Sequence, residues 1–293
     1  MSKTSEEIAS QPECWERAAS EVDRHRGALP AAGERVAVVG CGTSWFVAQA
    51  YASAREGAGL GETDAFAASE LPVGRAYDRV LAITRSGTTT EVLDVLRALR
   101  GSVPSAVITA DAGTPVVDVV DEVVALPYAD EESVVQTRFA TSALALLRAS
   151  LGQDLAPAVQ DARRALADEL DPQLVGASQL TFLGRGWTVG LAHEAALKLR
   201  EAACAWTESY PALEYRHGPI SIAGPGRVVW MLGTAPPGLE AEVRGIGGAF
   251  VTSPADPMAE LVRVHRTAVA RSAAAGLDPD QPRHLTRSVI LTG

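Results

Sequence analysis

The stretch LAITRSGTTTEVLDVLRALR, residues 81–100, decides the fold. An apolar run ends abruptly in five hydroxyl residues, Thr84, Ser86, Thr88, Thr89 and Thr90, with Gly87 among them. A helical pattern follows at once over 90–100. A strand that hands over directly to a helix, repeated along a chain, indicates a parallel sheet covered by helices.

The same alternation extends in both directions. ERVAVVG (34–40) reads as a strand and TSWFVAQAYASARE (43–56) as the helix behind it. DRVLAIT (78–84), PSAVITA (104–110) and DEVVALP (121–127) supply further strands, and a helix over 133–152 closes this half. A connecting helix over 153–170 follows. The pattern then restarts with the strand QLTFLGRG (179–186) and the helix VGLAHEAALKLREAACAW (189–206). GRVVWML (226–232) and GGAFVTS (247–253) are later strands, and 260–276 is the last long helix. Both halves open with an apolar strand, a G-x-G turn and a helix, VVGCGTSW and FLGRGWTVG. This weak internal repeat suggests two domains of one α/β fold, each a parallel sheet flanked by helices in a flavodoxin-like three-layer sandwich.

Bulk properties bound the function. The 293 residues can bury a sizeable core, and a 47% apolar, 21% charged composition is that of an ordinary globular protein. No apolar stretch approaches the ~20 residues that span a bilayer, so no membrane partner is expected. The polar, acidic N-terminus is no secretory signal, and Cys14, Cys41 and Cys204 form neither a metal-spaced pair nor a disulfide framework, so a cytoplasmic protein is expected. A net charge of −10 argues against nucleic acid as a partner. Any anionic ligand must then be held locally, by backbone amides and hydroxyls.

The turns GCGTS (40–44) and TRSGTTTE (84–91) both lie at carboxyl ends of strands, where helix N-termini converge and favour an anion. Ser44, Thr84, Ser86 and Thr89 would add short donors, so the hydroxyls read as the lining of a phosphate pocket. N-capping explains one or two such residues, but five in seven positions exceed what a cap requires. No G-x-x-x-x-G-K-[ST] is present, and a dinucleotide fingerprint fails because Trp45 stands at the third glycine position, although Asp64 could mimic the ribose-binding acid. No H-E-x-x-H or other metal site is suggested, and no cofactor is implied.

In HEAALKLRE, Glu194, Lys198 and Glu201 share one helix face at i, i+4 and i+7. An exposed salt-bridge ladder is the plain alternative. Against it, Lys198 is the only lysine beyond Lys3 among 26 basic residues. His217, beside the Gly-Pro turn of TESYPALEYRHGPISI (207–222), is a candidate proton carrier near neutral pH. His25 and His265 lie in helical context and look ordinary; His284 sits in the tail.

These motifs together resemble the sugar isomerase (SIS) domain family, specifically the double-domain isomerase module of glutamine–fructose-6-phosphate aminotransferases. EIASQPE (7–13) resembles that module's leading helix, and VVGCGTSW and ITRSGTTTEVL its phosphosugar loops. HEAALKLREAA, ESYPALEYRHGPI and GLDPDQPRHLTRSV resemble its catalytic helix, histidine loop and C-terminal tail. The resemblance implies an N-terminal helical segment over 1–30, SIS domains over 31–152 and 173–280, a linker helix over 153–172, and a tail over 281–293 covering the active site.

It further implies a sugar-phosphate ligand held by Thr43, Ser44, Thr84, Ser86 and Thr89. Glu201 takes the position of the base moving a proton between C1 and C2. His217 takes that of the ring opener, often given by a neighbouring subunit, which implies a homodimer. Glu194 and Lys198 match residues lining the sugar site, and Lys198, the one remaining amine able to form an imine, is a candidate catalytic residue. Two departures matter. No glutaminase segment precedes the leading helix, so glutamine-dependent aminotransfer is not expected. Arg287 stands where the family has the lysine that forms a Schiff base, so it is expected at the substrate, but a guanidinium, protonated near pH 7, cannot serve as that amine. The expectation is an amino-sugar-phosphate deaminase or phosphosugar isomerase, with a catalytically inactive phosphosugar-binding regulator as the alternative.

Overall fold

The computed structural model describes residues 2–291. Residues 1, 292 and 293, which the expected N-terminal segment and tail include, lie outside the described residues. The chain runs α1 (Lys3–Ala9), α2 (Gln11–Ser20), α3 (Val22–His25), β1 (Val36–Gly40), α4 (Thr43–Gly57), β2 (Thr63–Ala67), β3 (Arg79–Ile83), α5 (Thr90–Leu99), β4 (Ser105–Thr109), β5 (Glu122–Ala125) and α6 (Arg138–Ser150). It continues through α7 (Ala156–Ala167), α8 (Pro172–Gly176), β6 (Gln179–Gly184), α9 (Thr188–Ala203), β7 (Thr207–Pro211), β8 (Arg227–Met231), α10 (Leu239–Gly245), β9 (Ala249–Val251) and α11 (Pro257–Ala274).

Two compact units result, and neither is continuous in sequence. The first holds residues 13–132, 138–155 and the tail from 286; the second holds the chain up to 12, 133–137 and 156–285. The tail expected over 281–293 is therefore divided between them. The segment read as a linker helix contains α7, which packs on α11 within the second unit.

In the first unit five parallel strands lie in the order β2-β1-β3-β4-β5. Every residue of β1 and β4 is buried, as a sheet covered on both faces demands. Ala37, Val39, Val80, Ala82 and Val107 point to one face and pack against Val92, Leu93, Leu96 and Leu99 of α5. Those α5 residues recur at helical spacing, and burying each contributes about 1.5–3 kcal/mol. Helix α4 packs on β1 and β2, with α6 alongside it. Handedness explains the two-sided cover. From β1 the chain crosses through α4 to one side, and from β3 through α5 to the other, so right-handed crossovers put the two helices on opposite faces.

The second unit repeats this plan with four parallel strands in the order β7-β6-β8-β9. Leu183, Val229, Met231 and Phe250 face Leu239 and Val243 of α10. Helix α9 packs on β6 and β7 and against α11. Among the described residues no helix is long and apolar enough to cross a membrane.

Two strands depart from the sequence reading. The hydropathy pattern does not foresee β2 (TDAFA), and β7 (TESYP) lies inside a segment read as a loop. Both are sheet edges, and every residue but the first of each is at least partly exposed, so neither shows an apolar run. Their backbones are ordered by the ladders to β1 and β6 instead. The helix expected over 133–152 is shorter, because residues 133–137 belong to the other unit.

Candidate functional site

In the first unit the chain leaves β1 and β3 in opposite directions, so the turns after these strands flank the switch point of the sheet, the general ligand position of open α/β sheets. The first turn is sterically demanding. A Cβ on Gly40 would lie 2.7 Å from the Ser44 carbonyl carbon, and Gly42 adopts a left-handed φ of 53°. The turn brings Thr43 and Ser44 onto the first turn of α4, both buried. Neither side-chain hydroxyl makes a hydrogen bond among the described residues.

The corresponding turn of the second unit has the same backbone. Gly186 has a φ of 54°, and a Cβ on Gly184 would lie 2.2 Å from the Thr188 carbonyl oxygen. Its hydroxyl is engaged, however. Thr188 Oγ1 accepts from the Arg185 N–H at 2.8 Å and lies 2.9 Å from the Leu232 carbonyl, to which it donates. The repeated scaffold thus leaves its hydroxyls open at Thr43 and Ser44 and closes that at Thr188.

The second hydroxyl turn is not a set of caps. Thr89 is the N-cap of α5, yet its side chain makes no capping bond. Only glycine fits at 87, where a Cβ would lie 1.9 Å from Thr114 Oγ1 and φ is 62°. The hydroxyls converge instead on Ser288 of the tail. Its Oγ is 3.2 Å from Ser86 Oγ, 2.9 Å from Thr88 Oγ1 and 3.4 Å from Thr89 Oγ1. Thr90 N donates to the Val289 carbonyl at 3.2 Å. Thr84 is buried at the end of β3, and its N–H is bound by the Ile108 carbonyl. Sequence reasoning missed Ser288: a tail over the active site was expected from the resemblance, but nothing in TRSV singles out this hydroxyl.

Arg287 does not turn toward this turn. Its guanidinium binds Asp130 Oδ1 at 2.5 Å and the Glu131 carbonyl, while its own carbonyl accepts from Arg85 Nη2 at 2.9 Å. Arg85 itself is buried, 3.9 Å from the buried Glu131 carboxylate. It is a second residue that the sequence reading passed over.

In the second unit, the spacing of α9 brings Glu194, Lys198 and Glu201 together as expected from i, i+4 and i+7. Lys198 Nζ contacts the Glu201 carboxylate and lies 3.6 Å from Glu194 Oε1. This is no exposed ladder: the Lys198 and Glu194 side chains are 1% and 2% exposed, and that of Glu201 is 19% exposed. Of the two carboxylates, Glu201 is therefore the more exposed. His265 of α11 lies behind the cluster, its Nε2 3.9 Å from Glu194 Oε1. Burial, with Lys198 adding to it, pushes its pKa down to about 3, so the ring is neutral. His217 ends a short turn after β7 and is exposed; among the described residues no hydrogen bond or ion pair joins it to Lys198 or Glu201.

With this geometry in hand, the relatives are informative. No family model matches the chain. The glutamine–fructose-6-phosphate aminotransferase (isomerizing) of Methanothermobacter thermautotrophicus is 27% identical over 336 residues, covering 97% of this chain and 57% of that protein. The same enzyme from a strain of Thermus thermophilus is 28% identical over 315 residues, covering 88% and 52%. The chain spans about half the length of these curated relatives. Glucosamine-6-phosphate deaminase from Thermotoga maritima shares the fold with a TM-score of 0.81 at 24% identity, covering 99% of this chain and all of that one. Tagatose-6-phosphate ketose/aldose isomerase from Escherichia coli gives 0.82 at 18% identity, covering 99% and 96%. The chain thus shares the two-sheet α/β fold of these two proteins. Its sequence likeness is to part of the isomerizing aminotransferases.

Proposed function

We propose that the chain binds a hexose or amino-hexose 6-phosphate and moves a proton between C1 and C2 of its open-chain form. The observation that carries this reading is the contrast between the two repeated turns. Among the described residues the first leaves the Thr43 and Ser44 hydroxyls unbonded at the start of a helix beside the switch point of its sheet, whereas Thr188 is tied to Leu232. Unbonded hydroxyls at a helix N-terminus suit the oxygens of a phosphate ester. Thr84, Ser86 and Thr89 complete the anchor. The names of the relatives support a phosphosugar as the ligand.

Proton transfer falls to Glu201. Its carboxylate is accessible and is oriented by Lys198, which suits a general base. Glu201 takes the C2 proton, an enediol or enolamine forms, and the proton returns to C1. From a 2-amino sugar the product is an imine; water hydrolyses it, releasing ammonia and leaving the ketose phosphate. His217 opens the ring, and Glu194 and Lys198 border the sugar. The ring-opening role, often filled by a neighbouring subunit in the family, makes His217 the reason to expect a homodimer.

A second reading has one observation in its favour. Arg287 is committed to Asp130 and the Glu131 carbonyl and offers no amine to a ketose, which fits a phosphosugar-binding regulator. The test is incubation with glucosamine 6-phosphate, galactosamine 6-phosphate and fructose 6-phosphate, following ammonia and sugar products, with Glu201→Gln beside the native protein. Ammonia release lost in Glu201→Gln supports the deaminase. Absence of turnover with ligand-induced thermal stabilisation supports the regulator.

A further inference from the structure

We infer that His265 is a positioning residue for the Glu194–Lys198–Glu201 cluster, its Nε2–H supporting the buried Glu194 carboxylate while Gln11 fixes the ring. This rests on the reading of Glu201 as base. Gln11 of α2 sets the tautomer. Its side-chain nitrogen faces two acceptor positions, the Ile8 carbonyl at 3.3 Å and His265 Nδ1 at 3.2 Å. A carbonyl only accepts, so the atom facing Ile8 is the amide nitrogen, and its two hydrogens serve Ile8 and Nδ1. Nδ1 therefore accepts, and the hydrogen of the neutral ring sits on Nε2. That nitrogen lies 3.9 Å from Glu194 Oε1 and has no hydrogen-bond partner among the described residues.

The consequence concerns Lys198. One ammonium stands between two carboxylates, in contact with Glu201 and 3.6 Å from Glu194. A carboxylate only 2% exposed is costly to hold without donors around it. The His265 N–H adds a donor beside the same Oε1 that faces Lys198 and offsets that cost, so Lys198 can orient Glu201. Ile8, Gln11 and Ser10 belong to the N-terminal stretch that packs within the second unit, so α1 and the start of α2 act on the cluster through this ring.

The test has two arms on the full chain. In the first, nitrogen-15 NMR of the histidine side chains should give His265 as the neutral Nε2–H tautomer from pH 5 to pH 8, with its Nε2 resonance moving in Glu194→Gln. An Nδ1–H tautomer, an imidazolium, or no response to Glu194→Gln overturns the inference. In the second, His265→Phe removes both nitrogens and His265→Gln returns a donor. With whichever sugar phosphate the native protein turns over, His265→Phe should lower kcat about 10- to 100-fold at unchanged KM, and His265→Gln should recover most of it. Full kcat in folded His265→Phe, or equal losses in both variants, overturns the inference. If the native protein turns over none of the sugar phosphates, the proposed reaction fails, and the NMR arm alone decides the role of His265.

Discussion

Gly42 and Gly186 hold the same left-handed backbone, φ 53° and 54°, at the same step of two separate sheets. Each sits two residues after a glycine that lets a strand end touch the start of the next helix, Gly40 against Ser44 and Gly184 against Thr188. The internal repeat is thus a repeat of a steric requirement. It fixes where a hydroxyl stands after the first strand of each unit, and the neighbouring strand end decides whether that hydroxyl is used.

Gly40→Ala and Gly184→Ala should both destabilise. The added methyl would meet backbone atoms of residues 44 and 188, which yield only by shifting the helix start, so about 1–3 kcal/mol is expected for each. Gly57→Ala, at the end of α4 with nothing near the new methyl, is the control and should be neutral or stabilising by about 0.5–1 kcal/mol. Urea denaturation distinguishes them; equal midpoints for all three would refute the steric account.

Much of this was legible in the chain. β1, β3, β4, β6 and β8 are buried apolar runs, and the helices behind them carry helical periodicity, so the two α/β halves could be read directly. β2 and β7 could not, since an edge strand's order comes from its partner. The face shared by Glu194, Lys198 and Glu201 follows from spacing along one helix. The contacts of Ser288 with Ser86 and of Gln11 with His265 join residues 202 and 254 positions apart, and only the folded units bring them together.

Lys198→Met should be strongly destabilising. It takes the ammonium from beside Glu194 in the packing between α9 and α11, and removing one partner of a buried pair costs about 3–5 kcal/mol. Adding Glu194→Gln removes the unbalanced charge and should restore part of the loss. Chemical denaturation of the single and double variants measures the coupling; a Lys198→Met protein as stable as the native one would show that the pair contributes nothing.

His265 should make the protein acid-sensitive well above the carboxylate range. Its pKa is about 3 when folded and ~6.5 when unfolded, so between these values the unfolded chain binds one more proton. Stability from this group is full above pH 6.5 and falls as pH drops, by up to about 1.4 kcal/mol per unit. The loss between pH 7 and pH 5 should therefore be smaller in His265→Gln by about 2 kcal/mol. Denaturation curves at the two pH values, with identical slopes for both proteins, would rule this out.

The pair Asp130–Arg287 should govern the tail more than global stability. Both side chains are more than a third exposed, so Asp130→Ala should cost no more than about 1 kcal/mol. Among the described residues the guanidinium would then be held by the Glu131 carbonyl alone, and the backbone carbonyl of Arg287 by Arg85 alone. Limited proteolysis followed by intact mass should show faster loss of the tail in Asp130→Ala. Unchanged cleavage would mean that the contacts of Ser288 and Val289 suffice to hold it.

Ser44→Ala and Thr188→Ala should part company, although they alter the same step of the repeat. Among the described residues the Ser44 hydroxyl makes no hydrogen bond, so its loss should leave the melting temperature of the free protein unchanged. If that hydroxyl binds a phosphate oxygen, the affinity for a hexose 6-phosphate should fall by about 1.5–3 kcal/mol, tenfold or more in Kd. Thr188 bridges Arg185 N and the buried Leu232 carbonyl, so its loss takes a partner from each and should cost about 1–3 kcal/mol of stability with little change in Kd. Calorimetric titration with fructose 6-phosphate and thermal melts of both variants give the two quantities. The reverse pattern would move the anion site to the second unit, whereas no binding by the native protein would remove the phosphate reading altogether.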